Sequence, residues 1–104
     1  MIRDYLYITD LVDMIITIFD KSTKFQVYNL GSGGGVTINE LINCMKKVTR
    51  RSIHVDYKPN RATDVHQVLL DMKRFELEFG VPRLTPMETG VKKTWQYVLE
   101  QETR

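Results

Sequence analysis

Residues 25–48 read FQVYNLGSGGGVTINELINCMKKV. An apolar run rich in strand formers meets four glycines between Gly31 and Gly35, and an amphipathic run comes next. A strand, a glycine-rich turn and a helix in that order open a nucleotide-binding βα unit, so the spacing of the glycines decides the reading. The dinucleotide fingerprint G-x-G-x-x-G needs its third glycine for close helix–strand packing. Counted from Gly31, Val36 stands at that place; counted from Gly33, Ile38 does. Both registers fail, although Asp56 on the next strand-like run sits at roughly the spacing of a ribose-binding acid. No Lys-Ser/Thr pair follows the glycines, which excludes a P-loop. Gly31–Gly34 fits the G-x-x-G of an RNA-binding KH loop, but that loop joins two helices and this one follows a strand. The glycines therefore read as turn residues that supply positive φ.

Immediately after the turn the chain carries a helix start. Thr37-Ile38-Asn39-Glu40 matches the S/T-x-x-E capping box, with Val36 and Leu41 at staple positions. Ile38, Leu41, Ile42, Met45 and Val48 form one apolar stripe at helical spacing. Lys46, Lys47, Arg50 and Arg51 gather where a helix macrodipole favours cations, and read as a solvated cap. Working outward, "RDYLYI" at 3–8 reads as a short strand or extended segment. Asp10 is placed to cap a helix over 10–21 whose apolar residues span an arc of about 200°, twice what a surface helix needs. That helix is either central or faces a second body. "SIHVDY" alternates as a half-buried strand, "KPNRATD" is a loop, and "VHQVLL" is a short strand. Asp71 is expected to cap a short helix ending at Gly80. Thr85-Pro86-Met87-Glu88 is a second capping box with proline at the first helical position. It opens a helix with Met87, Val91, Trp95, Val98 and Leu99 on one face. Strands interleaved with helices favour an α/β fold.

Composition narrows the function less. The chain has 104 residues, enough for one small domain. Its formal charge of +2 is too small to argue for a nucleic-acid or membrane partner. A single cysteine, Cys44, excludes an intramolecular disulfide and a cysteine-based metal cluster, and suits a reducing, cytoplasmic setting. No apolar run approaches the roughly 20 residues needed to span a bilayer, and the charged opening is not a signal peptide. His54 and His66 are too isolated for a metal site, and Cys44 and Trp95 read as packing residues. There is no H-E-x-x-H and no G-x-S-x-G. By chemistry alone the chain carries no complete active site.

Read together, "RDYLYITDLVDMI", "YNLGSGGGVTINELI", "RATDVHQVLLDMKRFELEFG" and "TPMETGVKKTWQYV" resemble, in order and spacing, the C-terminal portion of the extended short-chain dehydrogenase/reductase family. Its members are NAD(P)-dependent nucleotide-sugar epimerases and dehydratases of the UDP-glucose 4-epimerase type. The resemblance implies a single C-terminal nucleotide-sugar-binding unit over 1–104, the substrate-binding portion of a Rossmann-type enzyme, with short strands interleaved with about four helices. The NAD-binding Rossmann domain and the catalytic Tyr-x-x-x-Lys of the family are absent; no tyrosine here has lysine four residues on. The implied intact enzyme uses NAD to oxidise a ring hydroxyl of a UDP-hexose transiently, and this portion alone is expected to be inactive. In the family the arginine of "RDY" and the arginine of "RxGD" typically contact the diphosphate, and the aspartate of the second motif the nucleotide ribose. By position these are Arg3, Arg61 and Asp64; Ala62-Thr63 stand where the family has Pro-Gly.

Three alternatives stay open. One is a nucleotide-sugar 4,6-dehydratase or reductase of the same family. Another is a stand-alone binding or interaction module whose apolar helix 10–21 serves a protein partner or self-association. The weakest is a nucleic-acid binder using Lys46, Lys47, Arg50 and Arg51, which lacks interleaved aromatic residues.

Overall fold

The computed structural model describes residues 2–21, 23–59 and 67–102. Four helices and one minimal sheet make up the regular structure. In chain order they are β1 (Ile2–Arg3), α1 (Ile8–Phe19), β2 (Val36–Thr37), α2 (Ile38–Thr49), α3 (Lys73–Phe79) and α4 (Met87–Glu102). β1 pairs antiparallel with β2, Ile2 opposite Thr37 and Arg3 opposite Val36. On the other side of β1, Ile2 bridges Gln67 in parallel, and the Val68 amide donates to the Ile2 carbonyl at 2.9 Å.

Local signals placed the helices well where the relevant bonds are local. Thr37 is the N-cap of α2, and its hydroxyl accepts from the Glu40 amide at 3.1 Å. The return bond differs from the expected box, because the Glu40 carboxylate accepts from the Thr37 hydroxyl at 3.2 Å. Lys46 and Lys47 lie in the last turn of α2, and Arg50 closes it with φ +57°. Gly80 ends α3 at φ +88°, a conformation open to glycine at no steric cost.

Other expectations are corrected. α1 begins at Ile8, with Tyr7 at the N-cap, so Asp10 is not a cap of its own helix. Asp10 is instead buried inside the first turn, where its carboxylate accepts from the Thr85 amide at 2.8 Å and the Thr85 hydroxyl at 2.9 Å. The Thr85 amide is thus taken by Asp10 rather than by the Glu88 carboxylate of the capping box expected for α4, and Glu88 pairs with Lys47 instead. Asp71 misses its predicted role by one position: Met72 is the N-cap of α3, and Asp71 accepts from the Lys73 amide at 2.9 Å. Residues 25–30 and 53–57 form no strand, since among the described residues no backbone ladder is made to them. Of the predicted strand 65–70, residues 65–66 lie outside the described residues and only Gln67 makes a bridge.

The core is small and lies between α1 and α3. Met14, Met72 and Phe75 are buried, and Leu6, Ile18, Tyr28, Leu30, Phe79 and Leu84 pack around them. An aromatic chain extends it, with Phe75 and Phe79 at 5.0 Å and Tyr28 and Phe79 at 5.9 Å between ring centroids. α1 uses only part of its apolar arc here. Ile8, Val12, Ile15, Ile16 and Phe19 occupy its other face and are exposed, Phe19 at 84%. α2 and α4 pack against each other. Gly90 allows α4 to approach Tyr7, because a Cβ there would stand 3.1 Å from the tyrosine ring.

This arrangement leaves much surface uncovered. The chain exposes 8317 Å², where a compact monomer of its mass exposes about 6,000 Å². Its radius of gyration is 16.5 Å, against about 13 Å for a compact domain of this length. Few apolar contacts thus share the cost of ordering the chain, and the apolar face of α1 is the clearest part of the excess.

Candidate functional site

The glycine turn does bind an anion, but the anion belongs to the chain. Asp4, immediately after β1, sends its carboxylate into the turn: Oδ1 accepts from the Ser32 amide at 2.7 Å and from Ser32 Oγ at 2.5 Å. Oδ2 accepts from the Leu70 amide at 3.3 Å. Ser32 Oγ in turn accepts from the Gly34 amide at 3.3 Å. Only Gly33 of the knot has a positive φ, +77°. Gly31 and Gly35 are needed for a different reason than the expected one, namely space. A Cβ on Gly31 would lie 2.5 Å from Asp4 Oδ2, and one on Gly35 would collide with the side chains of Leu69 and Ile2. A nucleotide phosphate would have to displace Asp4 to use these donors.

Arg3 precedes this clamp. It is half-buried on β1, and among the described residues its guanidinium makes one hydrogen bond, from Nη1 to the Ile2 carbonyl at 3.0 Å, and no ion pair. Arg61 and Asp64 lie outside the described residues. Their run leads into Gln67, which bridges the residue before Arg3. Asp4 is the functional-looking residue that the sequence reading passed over. Its signal was the adjacency of an acid to Arg3 combined with a small donor, Ser32, flanked by glycines.

A cleft of about 610 Å³ opens between α2 and α4, lined mainly by apolar groups including Tyr7, Leu41, Met45, Met87, Val91 and Trp95. Trp95, expected as packing, is half-buried in this wall with the Arg51 guanidinium 5.1 Å from its ring centroid. Lys47 pairs with Glu88 at 3.3 Å, both well exposed. Two of the four clustered cations thus tie α2 to α4. The remaining constellation is Tyr28, whose hydroxyl donates to the Glu78 carboxylate; Glu78 also accepts from the Lys24 amide at 3.0 Å. Burial first, then the Glu78 carboxylate, push the Tyr28 pKa above its ordinary value. Cys44 is free and half-buried. Among the described residues no group of histidine, cysteine or acid side chains is arranged to hold a metal ion, and no helix is long and apolar enough to cross a membrane.

No protein-family model matches the chain. It is 31% identical over 99 residues to UDP-arabinose 4-epimerase 1 of Arabidopsis thaliana, covering 92% of this chain and 24% of that protein. It is 27% identical over 99 residues to UDP-glucose 4-epimerase of Corynebacterium glutamicum, covering 92% of this chain and 30% of that one. Among solved structures it superposes on UDP-glucose 4-epimerase of Thermotoga maritima, crystallised with UDP-glucose. The TM-score is 0.81 at 31% identity, over 96% of this chain and 32% of that one. The Bifidobacterium longum UDP-glucose 4-epimerase, in complex with NAD+ and UDP, gives 0.85 at 25% identity over 97% and 31%. The chain therefore spans about a quarter to a third of the length of the proteins it matches. In sequence and in fold, it matches part of the UDP-sugar 4-epimerase branch of the extended short-chain dehydrogenase/reductase family.

Proposed function

We propose that the chain is the C-terminal, substrate-binding part of an NAD-dependent UDP-sugar 4-epimerase. The observation that carries this reading is the fold match, at 31% identity over nearly the whole chain, to an epimerase crystallised with UDP-glucose. In this reading Arg3 and Arg61 grip the nucleotide diphosphate and Asp64 accepts from the ribose hydroxyls. A guanidinium presents a planar fork that binds phosphate oxygens bidentately. In this reading the glycine turn, filled by Asp4, is not the NAD cradle. NAD binding and the redox chemistry are accordingly assigned to residues beyond this chain, and the chain alone is expected not to epimerise UDP-glucose when NAD is added.

In the longer protein, Arg61→Ala is expected to weaken UDP binding about 10–100-fold, the loss of charge-assisted contacts. Calorimetric titration reads this directly, and an unchanged affinity removes Arg61 from the site. A 4,6-dehydratase or reductase of the same family would use the same clamp; assay of the longer protein for epimer formation against water loss separates them. The isolated 104-residue chain, with the outer face of α1 uncovered, is expected to self-associate, since monomers rarely leave so large an apolar patch exposed. A strictly monomeric sedimentation profile at high concentration contradicts that expectation.

A further inference from the structure

Three segments distant in sequence, residues 2–5, 31–35 and 67–70, meet at the carboxylate of Asp4. We propose that Asp4, seated in the glycine turn, is a positioning residue that holds Arg3 ready for an anionic ligand, the diphosphate of a nucleotide sugar. The proposal rests on the reading of Arg3 given above and adds the device that makes Arg3 available.

The strand that carries Arg3 has two residues and pairs with an equally short antiparallel partner, β2. A ladder so short does not fix its own register, because strands of ordinary stability run to about five residues. The Asp4 carboxylate supplies what is missing. It takes three donors, two of them backbone amides, and bonds to an ionised acceptor are about twice as strong as neutral ones. One oxygen ties β1 to the turn that leads into β2, and the other ties it to the segment that bridges Ile2 from the opposite side. Gly31 belongs to the same device, since the space for a Cβ there is taken by Asp4 Oδ2.

The clamp also settles where the two neighbouring charges go. In extended backbone, successive side chains leave opposite faces, so Arg3 and Asp4 diverge. Asp4 spends its oxygens on Ser32 and Leu70, while the Arg3 guanidinium is bonded only to a backbone carbonyl among the described residues. An Asp4 released from the turn would stand beside Arg3 as an internal carboxylate competing with the diphosphate.

The test is a set of UDP titrations on the longer protein, using wild type, Arg3→Ala, Asp4→Asn, Gly31→Ala and the Asp4→Asn/Arg3→Ala double variant. Arg3→Ala is expected to weaken UDP binding about 10-fold, and Asp4→Asn and Gly31→Ala to weaken it by a similar factor. In the Arg3→Ala background, Asp4→Asn is expected to add less than about twofold, because it acts through the group already removed. Full affinity in Asp4→Asn overturns the proposal. So does a loss that persists undiminished in the Arg3→Ala background, which is the mark of a merely structural role. An Arg3→Ala variant that binds UDP normally, or a wild type that does not bind it, refutes the underlying reading and the proposal with it.

Discussion

The two ends of the molecule are held together by different forces. Around α1 and α3, buried or half-buried carboxylates reach across the sequence: Asp4 to Ser32 and Leu70, Asp10 to Thr85, and Glu78 to Tyr28 and Lys24. Between α2 and α4 the contact is apolar, an open cleft remains, and the polar ties are an exposed ion pair and a cation over an indole. The first region has specified geometry with a very small core. The second has apolar area with little to fix it. A carboxylate with several donors fixes direction as well as distance, so the first region is the one whose geometry is set by such bonds.

That contrast can be broken from its strongest side first. Asp10 is 8% exposed and serves both the amide and the hydroxyl of Thr85. Asp10→Ala should destabilise the chain by about 1–3 kcal/mol, because it leaves those donors unpaired. Urea unfolding measures this, and a change below about 0.5 kcal/mol, the range of ordinary surface substitutions, would show that the α1–α4 tie is incidental. On the other side, Arg51→Ala removes the cation over Trp95 and should cost only about 0.5–1 kcal/mol. If it matched the loss in Asp10→Ala, the division between the two regions would fail. The smallest effect is one of pH. Tyr28 has its folded pKa raised above 10.0 by burial and by Glu78, so the unfolded chain loses that proton first. Stability from this group is complete below pH 10 and falls as pH rises through the folded value. Tyr28→Phe should flatten that part of the stability profile above about pH 10, and an unaltered slope would exclude Tyr28 as its source.

How much of this was legible in the sequence depends on the range of the bonds. The Thr37–Glu40 cap spans three residues and was readable from four letters. The same pattern at Thr85–Glu88 was overruled by Asp10, which lies 75 residues away and whose burial no local pattern reveals. The over-wide apolar arc of the first helix was readable, and the structure divides it into a core face around Met14 and an uncovered face around Phe19. Residues 25–30 and 53–57 have strand composition, yet among the described residues no backbone ladder is made to them. The glycine spacing argued against a dinucleotide loop. It did not show that Gly31 and Gly35 serve close packing, because the groups that crowd them come from residues 2–4 and 69. The family resemblance singles out Arg3 as a candidate, and Asp4 beside it became meaningful only when Ser32 and Leu70 were seen around it.

The central claim is that this chain supplies the arginines that hold a nucleotide sugar. Its most direct test is calorimetric titration of UDP into the longer protein, wild type against Arg61→Ala. The account predicts a loss of about 10–100-fold in affinity, as expected for charge-assisted contacts to a diphosphate. Equal affinity in the two proteins would contradict it.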